Sequence, residues 1–217
     1  MEVQIKGTII PNEDKNLYEY FGYENTCPKD VSTAFENVGD NENVDIYINS
    51  GGGDIFSATE IYSIIQKHKE KAKIHVVGLA ASAASVIMCA AENDISATSM
   101  VMIHNVSSIA QGNFKDFKHE SETLRKADRA MCQAYIDKSG KAESDFLPLM
   151  DKETWFTAQE AVDIGLCDKV VRVVRKDVLV GGYCSFVTDE QRKQYENTKA
   201  KAQLQIRLEK LKGDVKS

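Results

Sequence analysis

The sequence predicts an α/β fold with parallel strand pairing. The stretch Asn43–Asn49 reads NVDIYIN, an alternating and β-branched pattern that is typical of a strand. The residues beyond it form one apolar stripe at helical spacing. This stripe consists of Ile55, Ala58, Ile61 and Ile65. Because strands and helices continue to alternate further along the chain, consecutive strands are expected to pair in parallel through helical crossovers.

The part of the chain before that helix divides into four segments. We predict a strand at Val3–Ile10, a polar loop with some local structure at Asn12–Cys27, a helix at Val31–Asn37 and the strand at Asn43–Asn49. Pro28 and Asp30 favour the start of the helix, because proline and acidic residues are common in a first helical turn. The triplet Gly51–Gly53 is expected to end the strand.

The remainder of the chain continues the alternation. We predict a strand at Ile74–Val77, an apolar helix at Ala80–Ala91, a short strand at Met100–Ile103, a long charged helix at Asn113–Lys138 and a strand at Lys169–Val174. Gly78 is expected to end the first of these strands. After the break at Gly181–Tyr183, the run Thr188–Gln191 fits a capping box that opens a last helix.

Composition favours one domain and excludes several classes of function. A chain of 217 residues with 42% hydrophobic content can bury one core. The net charge of −6 and the absence of a concentrated basic face argue against nucleic acid as a partner. No secretory signal is evident, and the longest apolar stretch, Val76–Ala91, is shorter than a membrane span of roughly 20 residues. We therefore expect a cytoplasmic protein with no membrane partner.

The cysteines indicate neither disulfides nor a metal site. They are five in number and far apart, with no CxxC and no Cys/His ligand spacing. They are Cys27, Cys89, Cys132, Cys167 and Cys184. Reduced thiols in a cytoplasm are expected, and no zinc.

The C-terminal segment, residues 181–217, differs in character from residues 1–180. Its helix has a narrow stripe of Leu204, Leu208 and Leu211 among charged and polar residues. Two interpretations stay open: an exposed or partly docked tail helix, or an assembly and partner-binding segment.

Two glycine- and serine-containing turns could carry chemistry. Gly51–Gly53 lies between a strand and a helix, where backbone N–H groups can hold an anion, although a simple tight turn also explains it. Ser82 lies where an apolar helix begins, and Ser85 follows one turn later. A helix N-terminus would favour the negative charge of acyl transfer. Close helix packing is the structural alternative for both serines.

A histidine and two carboxylates could complete such a site. His104 ends an apolar strand, and serine requires a base of this kind because its free hydroxyl is a poor nucleophile. Asp151 and Glu153 both precede Trp155, and either could orient an imidazole. In an extended chain residues two apart face the same side, so this spacing does not choose between them. The other histidines (His68, His75 and His119) are expected to be structural or solvated.

Four motifs, taken in order, resemble the Clp peptidase family, the serine-type proteolytic subunits of Clp proteases. INSGGG is similar to the family's INSPGG, GLAASAAS to its GQAASMGA, VMIHN to its VMIHQP, and ETWFTAQEAVDIGLCD to its DRFLSAPEAVEYGLVD. The resemblance covers roughly Asp45 to Val171. The segments GLAASAAS, MDKETW and Gly112–Asn113 are most similar to the phage and prophage branch of the family, the Clp-like head-maturation proteases.

The resemblance implies a fold and a set of roles. The fold is the Clp/crotonase-type spiral of ββα units with a handle helix, Asn113–Lys138, in a catalytic domain at residues 1–180. Ser82 corresponds to the nucleophile and His104 to the base, while Ser85 is a decoy. Gly53 and Ala83 correspond to the N–H donors of the oxyanion hole. The resemblance implies a serine endopeptidase that cleaves polypeptides and needs no metal or cofactor. It also implies that the protein assembles into homo-oligomeric rings.

The sequence also departs from the family pattern. Glu153 stands where the family has its triad aspartate, with Asp151 as the alternative, and Gly51 replaces the family's proline. The segment before INS does not resemble the family's axial loop, so docking to an ATPase unfoldase is in doubt, and the chain has no ATP-binding motif of its own.

Rival hypotheses follow from these departures. A catalytically inactive Clp-fold assembly protein is one, and a crotonase-like acyl-CoA enzyme, which leaves the Ser82 and His104 motifs unexplained, is another. A Ser–Lys peptidase is a further alternative, but no lysine lies in a matching motif. The phage resemblance adds an assembling prohead as an alternative location, with scaffold, portal-associated or capsid precursors as substrates.

Overall fold

One eight-stranded β-sheet with helices packed against it forms the described part of the molecule, so the predicted α/β fold is confirmed. The computed structural model describes residues 1–39, 42–172 and 186–214, with side chains through residue 204. Its strands are β1 (Glu2–Ile9), β2 (Asn25–Thr26), β3 (Val44–Gly53), β4 (Ala72–Ala81), β5 (Glu92–Ser96), β6 (Met100–Ile103), β7 (Thr154–Thr157) and β8 (Lys169–Val171). Its helices are α1 (Lys15–Tyr20), α2 (Pro28–Asn37), α3 (Ile55–Lys67), α4 (Ala83–Ile87), α5 (Phe114–Ser139), α6 (Glu143–Asp151), α7 (Ala158–Asp163) and α8 (Asp189–Asp214). Short 3₁₀ turns lie at Asn12–Asp14 and Met88–Ala90.

The main sheet is parallel and branches at β4. Its strand order is β2-β1-β3-β4-β5-β8, with every neighbouring pair parallel. The first half of β4 pairs with β5, whereas its last residues, Leu79–Ala81, pair with β6. β7 joins β6 in the antiparallel sense, so the expected parallel pairing holds except at this pair.

Gly78 does not end β4, contrary to the expectation from sequence. It lies at the point where β4 exchanges its partner β5 for β6, beside the side chain of Asn49. A Cβ atom at Gly78 would come within 2.4 Å of Asn49 Oδ1, and the same oxygen accepts the N–H of Leu79 at 3.0 Å. The glycine therefore allows β4 to pass close to Asn49 and continue to Ala81.

The core lies between the parallel sheet and its helices. In β3, Val44, Ile46 and Ile48 are fully buried and Tyr47 is 3% exposed, so both faces of this strand are covered, as is usual in parallel sheets. The stripe expected on α3 is confirmed: Ala58, Ile61 and Ile65 are fully buried, and Ile55 packs against the core with partial exposure.

Helix boundaries follow local capping chemistry. The carboxylate of Asp54 accepts the Ser57 N–H at 2.7 Å and starts α3. Asn113 caps α5 by accepting the Lys115 N–H at 2.9 Å, while Asp116 accepts the Asn113 N–H at 2.8 Å. The long charged helix predicted here is confirmed as α5.

The predicted apolar helix at Ala80–Ala91 is wrong in extent. Ala80 and Ala81 belong to β4, where they pair with β6, and α4 begins only at Ala83 and has five residues. The tertiary pairing overrides the helical propensity of alanine. β5 and α6 are further elements that the sequence did not indicate.

The C-terminal helix is confirmed as α8, and its capping box forms. The Thr188 N–H donates to Gln191 Oε1 at 2.9 Å, and the Gln191 N–H donates to Thr188 Oγ1 at 3.2 Å. Leu204 is 58% exposed. The side chains of Leu208 and Leu211, the Gly181–Tyr183 break, Cys184 and the end of the predicted Lys169–Val174 strand lie outside the described residues.

The described residues contain neither a membrane-spanning helix nor a metal-binding cluster. No helix among them is both long and apolar enough to cross a bilayer. No group of three or more His, Cys, Asp or Glu side chains within the described ranges is arranged to hold a metal. The four cysteines that the structure describes are unpaired, buried thiols.

Candidate active site

Three turns converge at the carboxyl ends of neighbouring strands. Gly53 ends β3, Ser82 follows β4, and His104 follows β6. Since β3, β4 and β6 are adjacent and parallel, the residues that leave their carboxyl ends meet at one edge of the sheet. The local sequence thus supplies the residue types, and the sheet brings them together.

Ser82 occupies a strained turn between β4 and α4. Its backbone angles are φ 53° and ψ −125°, a region that costs a residue with a side chain about 1–3 kcal/mol. The Ser82 N–H donates to the Met102 carbonyl at 2.9 Å, and the Ser82 carbonyl accepts the Ser85 N–H at 2.9 Å. These two backbone bonds hold the turn in its strained conformation.

The Ser82 hydroxyl is hydrogen-bonded to the imidazole of His104. The distance from Ser82 Oγ to His104 Nε2 is 2.7 Å, and both side chains are half-buried. When the imidazole is neutral and carries its proton on Nδ1, Nε2 accepts the serine proton. This is the contact that activates a serine for nucleophilic attack.

Ser85 is placed differently from Ser82. It is fully buried, and its hydroxyl donates to the Ser82 carbonyl at 2.6 Å. The Tyr135 hydroxyl, on α5, lies 2.7 Å from the same Ser85 oxygen. Because the Ser85 proton is directed to the carbonyl, Tyr135 is the donor in this second bond. Ser85 thus braces the turn that carries Ser82. Burial raises the pKa of the Tyr135 hydroxyl.

Helix α4 is too short to act as a charged helix terminus. It has five residues and continues as a 3₁₀ turn. A macrodipole sums over aligned peptide units, so a helix of little more than one turn supplies little of it. The stabilisation expected from a helix N-terminus at Ser82 is therefore small, and individual N–H groups remain as the donors available for a negative charge.

The glycine triplet approaches the serine turn and β1 very closely. Gly52 has φ 100°, and a Cβ atom there would lie 2.8 Å from both the Ala81 carbonyl oxygen and Ser82 Cβ. Gly53 has φ 148°, and its Cβ would lie 2.2 Å from the Ile9 carbonyl oxygen. Only glycine fits at these two positions. The glycines are therefore required by close backbone packing, and not by a tight turn alone.

Glu153 lies one position beyond the ladder between β6 and β7, on the side of His104, yet its carboxylate contacts Trp155. The last antiparallel pair between β6 and β7 is Ile103 with Thr154, so the next pair of positions would be His104 and Glu153. Glu153 has φ 50° and is exposed, and its Oε1 accepts the indole N–H of Trp155 at 3.3 Å.

Asp151 and Glu153 are not in extended chain, so the expectation of a shared side is wrong. Asp151 is the last residue of α6, and Glu153 lies in the left-handed region of the turn that follows. Among the described residues, no carboxylate is hydrogen-bonded to the imidazole of His104.

Two aspartates hold the segment that follows His104. Asp151 Oδ1 accepts the side-chain amide of Asn105 at 2.8 Å, and Asp128 Oδ1 accepts the Val106 N–H at 2.6 Å. Burial raises the pKa of Asp128; its Val106 hydrogen bond and the charge of His104 oppose the rise, while the charge of Asp151 adds to it. The two carboxylates therefore hold the two residues that directly follow His104.

The remaining histidines serve packing or are solvated, as expected. His68 stacks on Phe35 with 4.9 Å between ring centroids, and His119 is exposed on α5. His75 lies between two carboxylates, 2.8 Å from Asp94 and 3.1 Å from Asp45. The hydrogen bond to Asp94 is the main reason that the pKa of His75 is raised.

A cleft of about 300 Å³ opens beside the serine and the histidine. Gly51, Gly53 and Ala83 line it together with Ser82 and His104. Its apolar wall is formed by Ile55, Val86, Met102, Met131 and Phe186. The cleft combines a serine hydroxyl, an imidazole and backbone N–H groups with room for an apolar side chain, and acyl transfer requires groups of these kinds.

Sequence reasoning missed three residues of this region. Asp128 and Tyr135 lie on α5, and the available signal was their spacing with Met131 and Cys132, which places all four on one buried helical face. Phe186 lies outside every motif, and nothing in the local sequence indicates that it lines the cleft.

The fold and the serine–histidine pair define an α/β protein with a hydrolase-type site at the carboxyl edge of a parallel sheet. Residues 32–174 match the family model described as Clp protease, which is more than half of the chain. The chain belongs to the Clp protease family.

Curated relatives agree with this assignment. The chain is 33% identical over 129 residues to the ATP-dependent Clp protease proteolytic subunit 1 of Protochlamydia amoebophila, a match that covers 57% of this chain and 63% of that protein. It is 32% identical over 139 residues to the ATP-dependent Clp protease proteolytic subunit of Bacteroides fragilis (strain ATCC 25285), covering 63% of this chain and 67% of that protein. The chain thus spans about two thirds of the length of these relatives.

Proposed function

We propose that this chain is a serine endopeptidase that hydrolyses polypeptides through an acyl-enzyme. The observation that carries the proposal is the 2.7 Å contact between Ser82 Oγ and His104 Nε2 at a strained turn that opens into a cleft. Membership of the Clp protease family supports the same activity.

The proposed first half-reaction forms a bond to Ser82. Ser82 Oγ attacks the peptide carbonyl carbon while its proton passes to His104 Nε2. The N–H groups of Gly53 and Ala83, both at the cleft, would stabilise the oxyanion of the tetrahedral intermediate. The C–N bond then breaks, His104 returns the proton to the leaving amine, and the acyl group stays on Ser82.

The proposed second half-reaction releases the acyl group. A water molecule attacks the ester carbonyl while His104 accepts one of its protons, and a second tetrahedral intermediate forms. Its collapse breaks the bond to Ser82 Oγ, which takes the proton back from His104, and the new carboxylic acid leaves. Every proton is accounted for by the imidazole and water.

Glu153 is the proposed third member of the triad, with Asp151 as the alternative. The strand register supports Glu153, because the last pair between β6 and β7, Ile103 with Thr154, brings the chain at Glu153 close to His104. The assignment requires a change of the Glu153 rotamer, since the carboxylate now accepts the indole N–H of Trp155. Glu153→Gln is expected to lower kcat about 100-fold or more, and Asp151→Asn, which keeps an acceptor for Asn105, less than fivefold. The reverse order would assign the role to Asp151.

The experiment that tests the activity is fluorophosphonate labelling of the assembled protein, with the modified residue located by peptide mass. Label on Ser82 that is absent from Ser82→Ala and present in Ser85→Ala supports the proposal. Label on Ser85 would contradict the assignment of the nucleophile. No label in any assembled form would favour the second candidate, an inactive assembly protein, which the contact of Glu153 with Trp155 instead of His104 supports.

We also propose an assembly state, a domain division, a location and a biological role, all from the resemblance to the Clp peptidase family. They are a homo-oligomeric ring, a catalytic unit at residues 1–180 with a tail at 181–217, a cytoplasmic or prohead location, and a role in phage or prophage head maturation. Analytical ultracentrifugation tests the ring. Cleavage of a co-expressed capsid or scaffold precursor tests the last role.

A further inference from the structure

The C-terminal segment of the chain reaches the cleft that contains Ser82. Phe186 lines this cleft although it lies twelve positions beyond residue 174, where the family match ends. The cleft residues Gly53, Ser82 and His104 all come from the family-matched core. One wall of the cleft is therefore supplied by a part of the chain that the family match does not include.

The residues after Phe186 are fastened to the N-terminal part of the chain. Val187 packs against a small cluster formed by Ile10, Tyr18 and Cys27, all of which are nearly fully buried. Ile10 directly follows Ile9, whose carbonyl accepts the Asp54 N–H at 2.8 Å. The attachment point of Val187 is thus next to the glycine turn of the site.

Polar contacts extend the attachment along the first turns of α8. Gln191 donates its side-chain amide to the Tyr23 hydroxyl at 2.9 Å. The guanidinium of Arg192 donates two hydrogen bonds to the Asp14 carboxylate, at 2.7 and 3.0 Å, a bidentate geometry that fixes orientation. We call residues 187–192 the clamp, because Val187, Gln191 and Arg192 all contact the N-terminal part of the chain.

Phe186 forms a wall of the cleft and does not fill it. A phenyl ring inserted as a plug would be buried, whereas Phe186 is 65% exposed, and about 300 Å³ remains free beside it. The ring faces a space whose other apolar residues include Ile55, Val86 and Met102. An apolar side chain placed there would cover part of the ring, and covering apolar surface stabilises a complex.

We propose that Phe186 is a substrate-binding residue of the Ser82 cleft, positioned by the clamp, and that it contacts an apolar side chain of a bound polypeptide. The interpretation of the bound polypeptide as a substrate rests on the proposed peptidase function. The contact itself requires only that the cleft binds extended polypeptide. Phe186→Ala is expected to weaken binding about tenfold, the effect of losing roughly 50 Å² of apolar contact.

The test measures binding and labelling separately. Binding of fluorescein-labelled casein, an unfolded polypeptide, is followed by fluorescence anisotropy in the Ser82→Ala background, where no turnover can occur. We expect Phe186→Ala to raise Kd about tenfold, Phe186→Leu less than threefold, and Arg192→Ala two- to threefold. Leu204→Ala is the matched control, because Leu204 is an apolar residue of similar exposure on the same C-terminal segment. It should leave Kd unchanged.

Labelling of the Ser82-containing chain by a small fluorophosphonate distinguishes the two proposals. If that chain labels and Phe186→Ala leaves Kd unchanged, the substrate contact is wrong while the peptidase stands. If it does not label and Phe186→Ala still weakens casein binding, the contact stands and the peptidase proposal fails. Tighter casein binding or faster labelling in Phe186→Ala would show a lid that obstructs the cleft, and would overturn the proposed wall.

Discussion

The contact between Ser85 and Tyr135 allows a quantitative test of how the serine turn is held. Ser85 is fully buried and Tyr135 is 2% exposed, and their hydroxyl oxygens are 2.7 Å apart. Ser85→Ala removes the acceptor and leaves a buried tyrosine O–H without a partner, which costs about 1–3 kcal/mol. The Ser82 carbonyl still accepts the N–H of residue 85 after the substitution, so the loss of the hydroxyl bond to this carbonyl costs less.

The two single substitutions are expected to have unequal effects. Tyr135→Phe keeps the ring and removes the hydroxyl, at a cost of about 1 kcal/mol, because Ser85 retains its bond to the Ser82 carbonyl. In the double variant Ser85→Ala/Tyr135→Phe no hydroxyl is left unpaired at this contact. It should therefore be more stable than Ser85→Ala alone, with a coupling free energy of about 1 kcal/mol or more.

The assay is urea unfolding followed by circular dichroism at one fixed protein concentration, since assembly contributes to apparent stability. Ser63→Ala with Tyr135→Phe serves as the control pair, because Ser63 is exposed on α3 and bonds within its own helix. This pair should be additive. Additivity within about 0.3 kcal/mol for the Ser85 and Tyr135 pair as well would refute the proposed bracing.

Three further predictions concern pH and backbone geometry. The pKa of His75 is raised, chiefly by Asp94, so its contribution to stability is complete below about pH 6.5 and is lost as pH rises through the folded-state pKa. His75→Gln should remove this decline from urea-unfolding free energies measured between pH 6 and 9, and an unchanged decline would contradict it. Gly53→Ala places a Cβ 2.2 Å from the Ile9 carbonyl oxygen and should slow fluorophosphonate labelling about 100-fold, whereas a normal rate would show that the turn tolerates a side chain. Burial raises the pKa of Asp128, so Asp128→Asn should stabilise the fold more at pH 8 than at pH 4; the same unfolding titration would disprove this if the difference were constant.

The sequence alone determined the elements whose patterns are local. The alternation in Asn43–Asn49 and the stripe from Ile55 to Ile65 predicted a strand and a helix that the structure contains. The capping box at Thr188–Gln191 likewise forms as predicted. The four motifs, through their resemblance to a family, named Ser82 and His104, which lie 22 positions apart yet are in hydrogen-bonding contact.

Only the tertiary structure decided how these parts meet. The passage of β4 through Gly78 depends on Asn49, and the turn at Ser82 is held by Ser85 and by Tyr135 from a distant helix. Phe186 reaches the cleft because Arg192 and its neighbours bind the N-terminal part of the chain. Periodicity reports the surroundings of a residue within its own element, whereas such long-range contacts arise only when strands and helices pack.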